Sequence, residues 1–148
     1  MIELDLRIAA EDWSSAIPNL TETCQRALDA GAAQMATKGE VSLLLTDDAE
    51  IQTLNRDWRD KDKPTDVLSF PSTEMDRPFL GDIAVSLGVT RTDAEIKQIA
   101  LDQHLSHLII HGLLHLLGHD HNDDTEAAEM ERLEIAALAS LGWPDPYK

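Results

Sequence analysis

Positive charge and cysteine are scarce in this sequence, and long apolar runs are missing altogether. Lys and Arg number 12 against 28 Asp and Glu, a formal net charge of −16 over 148 residues. So acidic a chain offers no broad basic face, which excludes non-specific coating of nucleic acid. A nucleic-acid substrate stays open only where positive charge is local or a metal ion supplies it. The lone cysteine, Cys24, excludes an intrachain disulfide, and a reducing cytoplasm is the expected location. Within its helical pattern Cys24 reads as a small core residue. No apolar stretch approaches the ~20 residues that span a bilayer. The first residues, MIELDLRIAAED, are acidic and lack the apolar segment of a secretory signal. Internal repeats and low-complexity linkers are absent too. What remains, 43% hydrophobic and 27% charged, is the composition of an ordinary globular chain of one domain.

Periodicity divides the chain into elements. Ile2, Leu4, Leu6 and Ile8 alternate with polar residues, the period of a half-buried strand. From Pro18-Asn19 a helix is expected through Leu20, Cys24, Ala27, Leu28 and Met35, weakened by Gly31. Residues 41–46 form a short apolar run, hence a buried strand. Asp47-Asp48 caps a helix over 48–58. Two further strands are expected at 66–70 and 82–86, close enough to be antiparallel neighbours, with residues 71–81 between them as a candidate mobile flap. Thr90 or Thr92 is expected to start a helix to about residue 100, another spans 102–117, and Thr125 or Asp124 caps a last one over 125–141. The pattern is α+β: a single domain with a mixed sheet of about four strands and helices packed on it.

The histidines are the most uneven feature. All six fall between residues 104 and 121, in HLSHLIIHGLLHLLGHDH. His111 and His115 are four apart on the 102–117 helix, so both rings project from one face, one turn apart. Gly118 can adopt the left-handed conformation that ends a helix and reverses the chain. His121 then returns to the same side. Three imidazoles with one position left open make a catalytic rather than a structural zinc site, one ion per chain. The spacing H-x-x-x-H-x-x-G-x-x-H also occurs in metzincin proteases. His104, His107 and His119 have no place in a four-coordinate set that keeps a water, although His107 and Asp120 are placed to orient a ligand. Where zinc proteases of the H-E-x-x-H type carry a glutamate base, this chain has Gly112.

With these residues in view, the sequence resembles the YbeY family of bacterial endoribonucleases. HGLLHLLGHDH at 111–121 follows that family's histidine block, with His119 where a tyrosine is usual. NRDWR at 55–59, leading through Lys63-Pro64 into TDVLSFP at 65–71, follows a second block, and LGDI at 80–83 a third. The resemblance implies a zinc-dependent, single-strand-directed endoribonuclease that matures the 3′ end of small-subunit (16S) rRNA and acts in late ribosome quality control. It implies His111, His115 and His121 as zinc ligands and Arg59 as the functional arginine.

A phosphodiester develops charge on its non-bridging oxygens, which an arginine fork and a Lewis acid both stabilise. Arg59 is therefore expected to clamp phosphate, with Lys61 and Lys63 adding local positive charge. The plainer reading of all three is a solvated loop paired with Asp57, Asp60 and Asp62. The strand at 65–71 is expected to line the cleft, with Phe70 in the core rather than stacked on a base. The small ribosomal subunit, its rRNA and its basic proteins are the expected partners, the last because the acidity suits docking on them. No membrane and no nucleotide cofactor are expected. A zinc metallopeptidase, or a non-catalytic assembly factor stabilised by zinc, are the competing readings.

Overall fold

A computed structural model describes all 148 residues. The alternation at the start of the chain forms strand β1 (Ile2–Ile8), which lies at one edge of a four-stranded sheet of order β1-β2-β4-β3. Its apolar side chains grade from buried Ile2 through half-buried Leu4 and Leu6 to exposed Ile8. That gradient fits an edge strand whose far end runs out from under the covering helices. The apolar run becomes β2 (Gly39–Thr46), parallel to β1 on one side and to β4 (Phe79–Ser86) on the other. The fourth strand, β3 (Val67–Pro71), is antiparallel to β4, as the short spacing between them predicts.

Parallel neighbours require crossovers, and helices supply them. After the short α1 (Asp12–Ala16), α2 (Leu20–Gln34) connects β1 to β2, and α3 (Asp48–Arg59) follows β2. The chain closes with α4 (Leu87–Lys97), α5 (Leu101–Leu116) and α6 (Asp124–Ser140). The strands' period of two divides the side chains between two cores. Val41, Leu43, Leu45, Ile83 and Val85 face α2, α5 and α6 in the main core, while Ala84, Leu44, Leu68 and Phe70 meet Ile51 and Leu54 of α3 on the other face. Helix α5 is apolar almost all round, with Leu105, Ile109, Ile110, Leu113 and Leu114 fully buried, so it runs through the centre and fixes the histidines it carries. Gly31 belongs to its packing: a Cβ there would lie 3.1 Å from the Leu113 side chain, where α2 meets α5.

Several boundaries differ from those expected, for identifiable reasons. Helix α1 is too short to show a period, yet its Trp13 is fully buried, and the indole N–H donates to the Thr46 carbonyl at 2.9 Å. Helix α4 starts at Leu87, ahead of Thr90 and Thr92, because its cap comes from another helix. The Asp48 carboxylate accepts from the Val89 amide at 3.0 Å. Helix α6 begins at Asp124, capped by Asp123, which accepts from the Glu126 amide at 2.8 Å, rather than by Thr125 or Asp124. Asp47 caps α3 as expected, accepting from the Glu50 amide at 2.9 Å. Phe79, Leu80 and Gly81 pair within β4, so the stretch between β3 and β4 is shorter than 71–81. It is a bonded hairpin connection, with the Ser72 amide donating to the Leu80 carbonyl at 3.0 Å and a capping box between Thr73 and Asp76.

Candidate metal centre

The last turns of α5 put His111 and His115 side by side, their Nε2 atoms 3.1 Å apart. Gly118 ends the helix with φ +97°, a conformation that favours glycine. The Gly118 amide donates to the His115 carbonyl at 3.1 Å, and the His119 amide to the Leu114 carbonyl at 3.0 Å. The reversed chain brings the His121 ring within 5.9 Å of His111 and 5.4 Å of His115, centroid to centroid. One nitrogen from each of the three rings lies within 4.8 Å of the others. Burial, and after it the neighbouring His111, pull the His115 ring below the usual imidazole range, so it is neutral at pH 7 and its lone pair is free. Three converging imidazoles suit zinc or another divalent ion of the first transition row, and this donor set fits such an ion.

The remaining histidines separate cleanly. His104 is buried, neither ring nitrogen has a hydrogen-bond partner, and burial pulls its pKa down to about 4. It is a neutral core residue. His107 is buried one turn before His111 and meets Glu134 of α6 across 3.3 Å. His119 lines the cleft but is no part of the converging group. Asp120 does not touch a ligand ring: its carboxylate accepts from the His121 amide at 2.8 Å and from the Asn122 side chain at 3.0 Å, shaping the turn. Behind His111 stands Glu134, whose Oε2 lies 2.7 Å from His111 Nδ1. The glutamate is 1% exposed. Burial alone would push its carboxyl up, but hydrogen bonds from His107, His111 and Tyr147 outweigh it and hold the pKa near about 2.

The three rings line an open cleft of about 830 Å³ that Arg59, Lys61 and Lys63 line as well. Local folding explains that placement. Asp60 ends α3 in the left-handed region at φ 58°. The buried Asn55 then ties the next loop back, its Nδ2 donating to the Lys63 carbonyl at 2.9 Å and its own carbonyl accepting from the Lys61 amide at 3.2 Å. The Arg59 guanidinium donates to the Ser69 carbonyl of β3 and lies 5.2 Å above the Phe70 ring. The ion pairs of the plainer reading, with Asp57, Asp60 and Asp62, do not form. Asp57 pairs with Arg56 and Asp62 accepts from Gln52, so none of the chain's ion pairs uses Arg59, Lys61 or Lys63. In a chain of net charge −16, a cleft lined by three cations, Arg59, Lys61 and Lys63, against two carboxylates, Asp66 and Asp120, is a local reversal of sign. Phe70 is half-buried on the minor core, and β3 lines the cleft as expected.

The missing glutamate also has a structural cause. A Cβ at Gly112 would lie 3.0 Å from Ile83 Cγ2 and 3.1 Å from Ser69 Oγ, and that hydroxyl donates to the Gly112 carbonyl at 3.1 Å. Helix α5 presses its backbone against the sheet where a zinc protease would carry its base, so a side chain there would crowd Ile83 and Ser69.

Comparison with known proteins is decisive about ancestry. The profile of the endoribonuclease YbeY family matches residues 7–142. The chain belongs to the YbeY family. Curated members named endoribonuclease YbeY include that of Bradyrhizobium sp. strain BTAi1, 46% identical over 95% of this chain and 89% of its own length. That of Rhizobium etli is 43% identical over all of this chain and 95% of its own length, and that of Stutzerimonas stutzeri 45% identical over 99% and 92%. Among solved structures, the solution structure of TM1509 from Thermotoga maritima superposes with a TM-score of 0.60 at 24% identity, covering 96% of this chain and 92% of that one. It supports the fold: a single α+β domain with a four-stranded mixed sheet. No helix is long and apolar enough to cross a membrane.

Membership of the YbeY family does not by itself single out Glu134, Asn55 or Tyr147, and reading the sequence missed all three. A signal existed for the first. Glu134 stands on the face of α6 that otherwise carries Met130, Leu133, Ala137 and Leu138, all buried. A charge in such a stripe needs a partner. Asn55 opens the NRDWR block but was given no role there, and Tyr147, in a loop-rich tail, gave no sign.

Proposed function

We propose that this chain is a metal-dependent endoribonuclease acting on single-stranded RNA. His111, His115 and His121 hold one zinc ion, and Arg59, Lys61 and Lys63 bind phosphate. The observation that carries this reading is the cleft itself, which three converging imidazoles share with three cations without carboxylate partners. A zinc ion there would supply Lewis acidity toward a phosphoryl oxygen. The chain's own residues do the rest. Arg59 has five N–H donors, and its bond to Ser69 leaves others for a phosphate as charge develops on the non-bridging oxygens. Asn55 holds the lysine loop open toward the cleft. Gly112 leaves the site without the glutamate base of a zinc peptidase, which favours a phosphodiester over a peptide.

The family resemblance points to rRNA as the substrate, at the 3′ end of the small-subunit 16S molecule, and to late ribosome quality control in the cytoplasm. The acidic exterior suits docking on basic ribosomal proteins while the cleft handles RNA. The test incubates chelator-treated and zinc-restored protein with single-stranded RNA, duplex RNA and a peptide library, and maps the ends. Chelator-sensitive cuts confined to single strands support the reading, and 2′,3′-cyclic phosphate ends would assign the attack to the ribose hydroxyl. RNA cleavage that survives chelation or His115→Ala overturns it.

A further inference from the structure

We propose that Glu134 and Tyr147 act together as positioning residues for the metal site, the phenol holding the carboxylate and the carboxylate fixing the tautomer of His111. The argument starts from what an ionised carboxylate can do. It only accepts, so the His111 nitrogen 2.7 Å from Oε2 must be the protonated one. With the proton on Nδ1, Nε2 carries its lone pair toward His115 and His121. Rotation of the carboxylate would lose this, and packing does not prevent that rotation on every side. A small cavity of about 200 Å³ opens beside Glu134 and Tyr147, behind His111 and His121. What fixes the carboxylate is its other oxygen. Oε1 accepts from the Tyr147 phenol and lies 3.3 Å from His107 Nε2. The tyrosine is itself oriented, its ring edge-on to His107 at 5.6 Å between centroids and 89° between planes. A tail residue 48% exposed, far outside the histidine block, thus reaches the metal site through one buried carboxylate.

This inference rests on the reading of the three histidines as metal ligands, so its test reads metal affinity and ring chemistry rather than RNA cleavage. Zinc is titrated into the metal-free protein in competition with a chromogenic chelator, and long-range nitrogen–proton NMR reports the His111 tautomer. Glu134→Gln is expected to weaken zinc by about 10–100-fold, the usual loss when such a partner of a ligand histidine is removed. Tyr147→Phe, which keeps the ring on His107 and removes only the hydroxyl, is expected to weaken zinc several-fold and to populate the other His111 tautomer in a metal-free protein that is still folded, though less stable for the lost bond to a buried carboxylate. Wild-type zinc affinity in Tyr147→Phe overturns the proposal, whatever Glu134→Gln does. So does a loss of affinity with the His111 tautomer unchanged. Should the wild type bind zinc as described yet cut no RNA, the proposed activity fails and the positioning pair stands.

Discussion

The two halves of α5 carry the same residue type to opposite ends. At its start, His104 is buried with both ring nitrogens unpartnered, and burial keeps it neutral to about pH 4. At its end, His111 and His115 meet a third ring across the open cleft, and His111 has Glu134 at its back. Between them His107 belongs to neither: it is buried, but bonded to the same glutamate. Helical periodicity alone would group all four. What separates them is whether the second nitrogen finds a partner and whether the first faces open space.

The comparison breaks most completely at the cleft end. His115→Ala is expected to abolish stoichiometric zinc binding, measured by elemental analysis after gel filtration, while His104→Ala leaves it intact. Arg59→Ala comes next: removing a donor to developing charge costs about 10²–10³ in kcat, read as initial rates on single-stranded RNA at saturating zinc. Gly112→Ala tests the contact that holds this end of the helix against the sheet. The added methyl meets Ile83 and the Ser69 hydroxyl at 3.0–3.1 Å, and crowding of this kind costs about 1–3 kcal/mol, measurable by urea unfolding.

The smallest effect lies at the buried end. His104→Leu removes two unpartnered polar atoms and is expected to stabilise the metal-free protein by about 1 kcal/mol. It also changes the pH response. The folded chain holds His104 near about 4, against 6.5 for an unperturbed ring, so between those values the unfolded chain binds the extra proton. Stability then falls as pH falls through that window, and His104→Leu shallows the slope. An unchanged slope would mean that the buried ring is already charged or already bonded.

The sequence disclosed the converging histidines because their logic is local: one helical turn, one glycine and a short return. The sheet was legible for the same reason, in the alternation of β1 and the apolar run of β2. Features that depend on partners distant in sequence were not. The start of α4 was hidden because Asp48 caps it from another helix. Gly81 and the preceding Pro78 made the first residues of β4 look like loop, although they pair with β2 and β3. Glu134 lay in plain sight within an apolar stripe, but only the fold shows that its partners are His107 and His111, from another helix. Gly112, noted for the side chain it lacks, owes its identity to a strand 43 positions back in the chain, where Ser69 meets it.

The burial of Trp13 has a practical corollary when set beside Trp58. The first is fully enclosed and the second is 71% exposed, next in the chain to Arg59. Tryptophan emission shifts to the blue in dry surroundings, and enclosed rings escape dissolved quenchers. One fluorescence spectrum therefore carries a blue component from Trp13 that reports whether the sheet is assembled, a quenchable red one from Trp58, and a third from the half-buried Trp143. Replacing Trp143 and one of the other two by phenylalanine leaves a single indole as a clean optical gauge, Trp13 for unfolding of the core or Trp58 for events beside Arg59, without attaching a label.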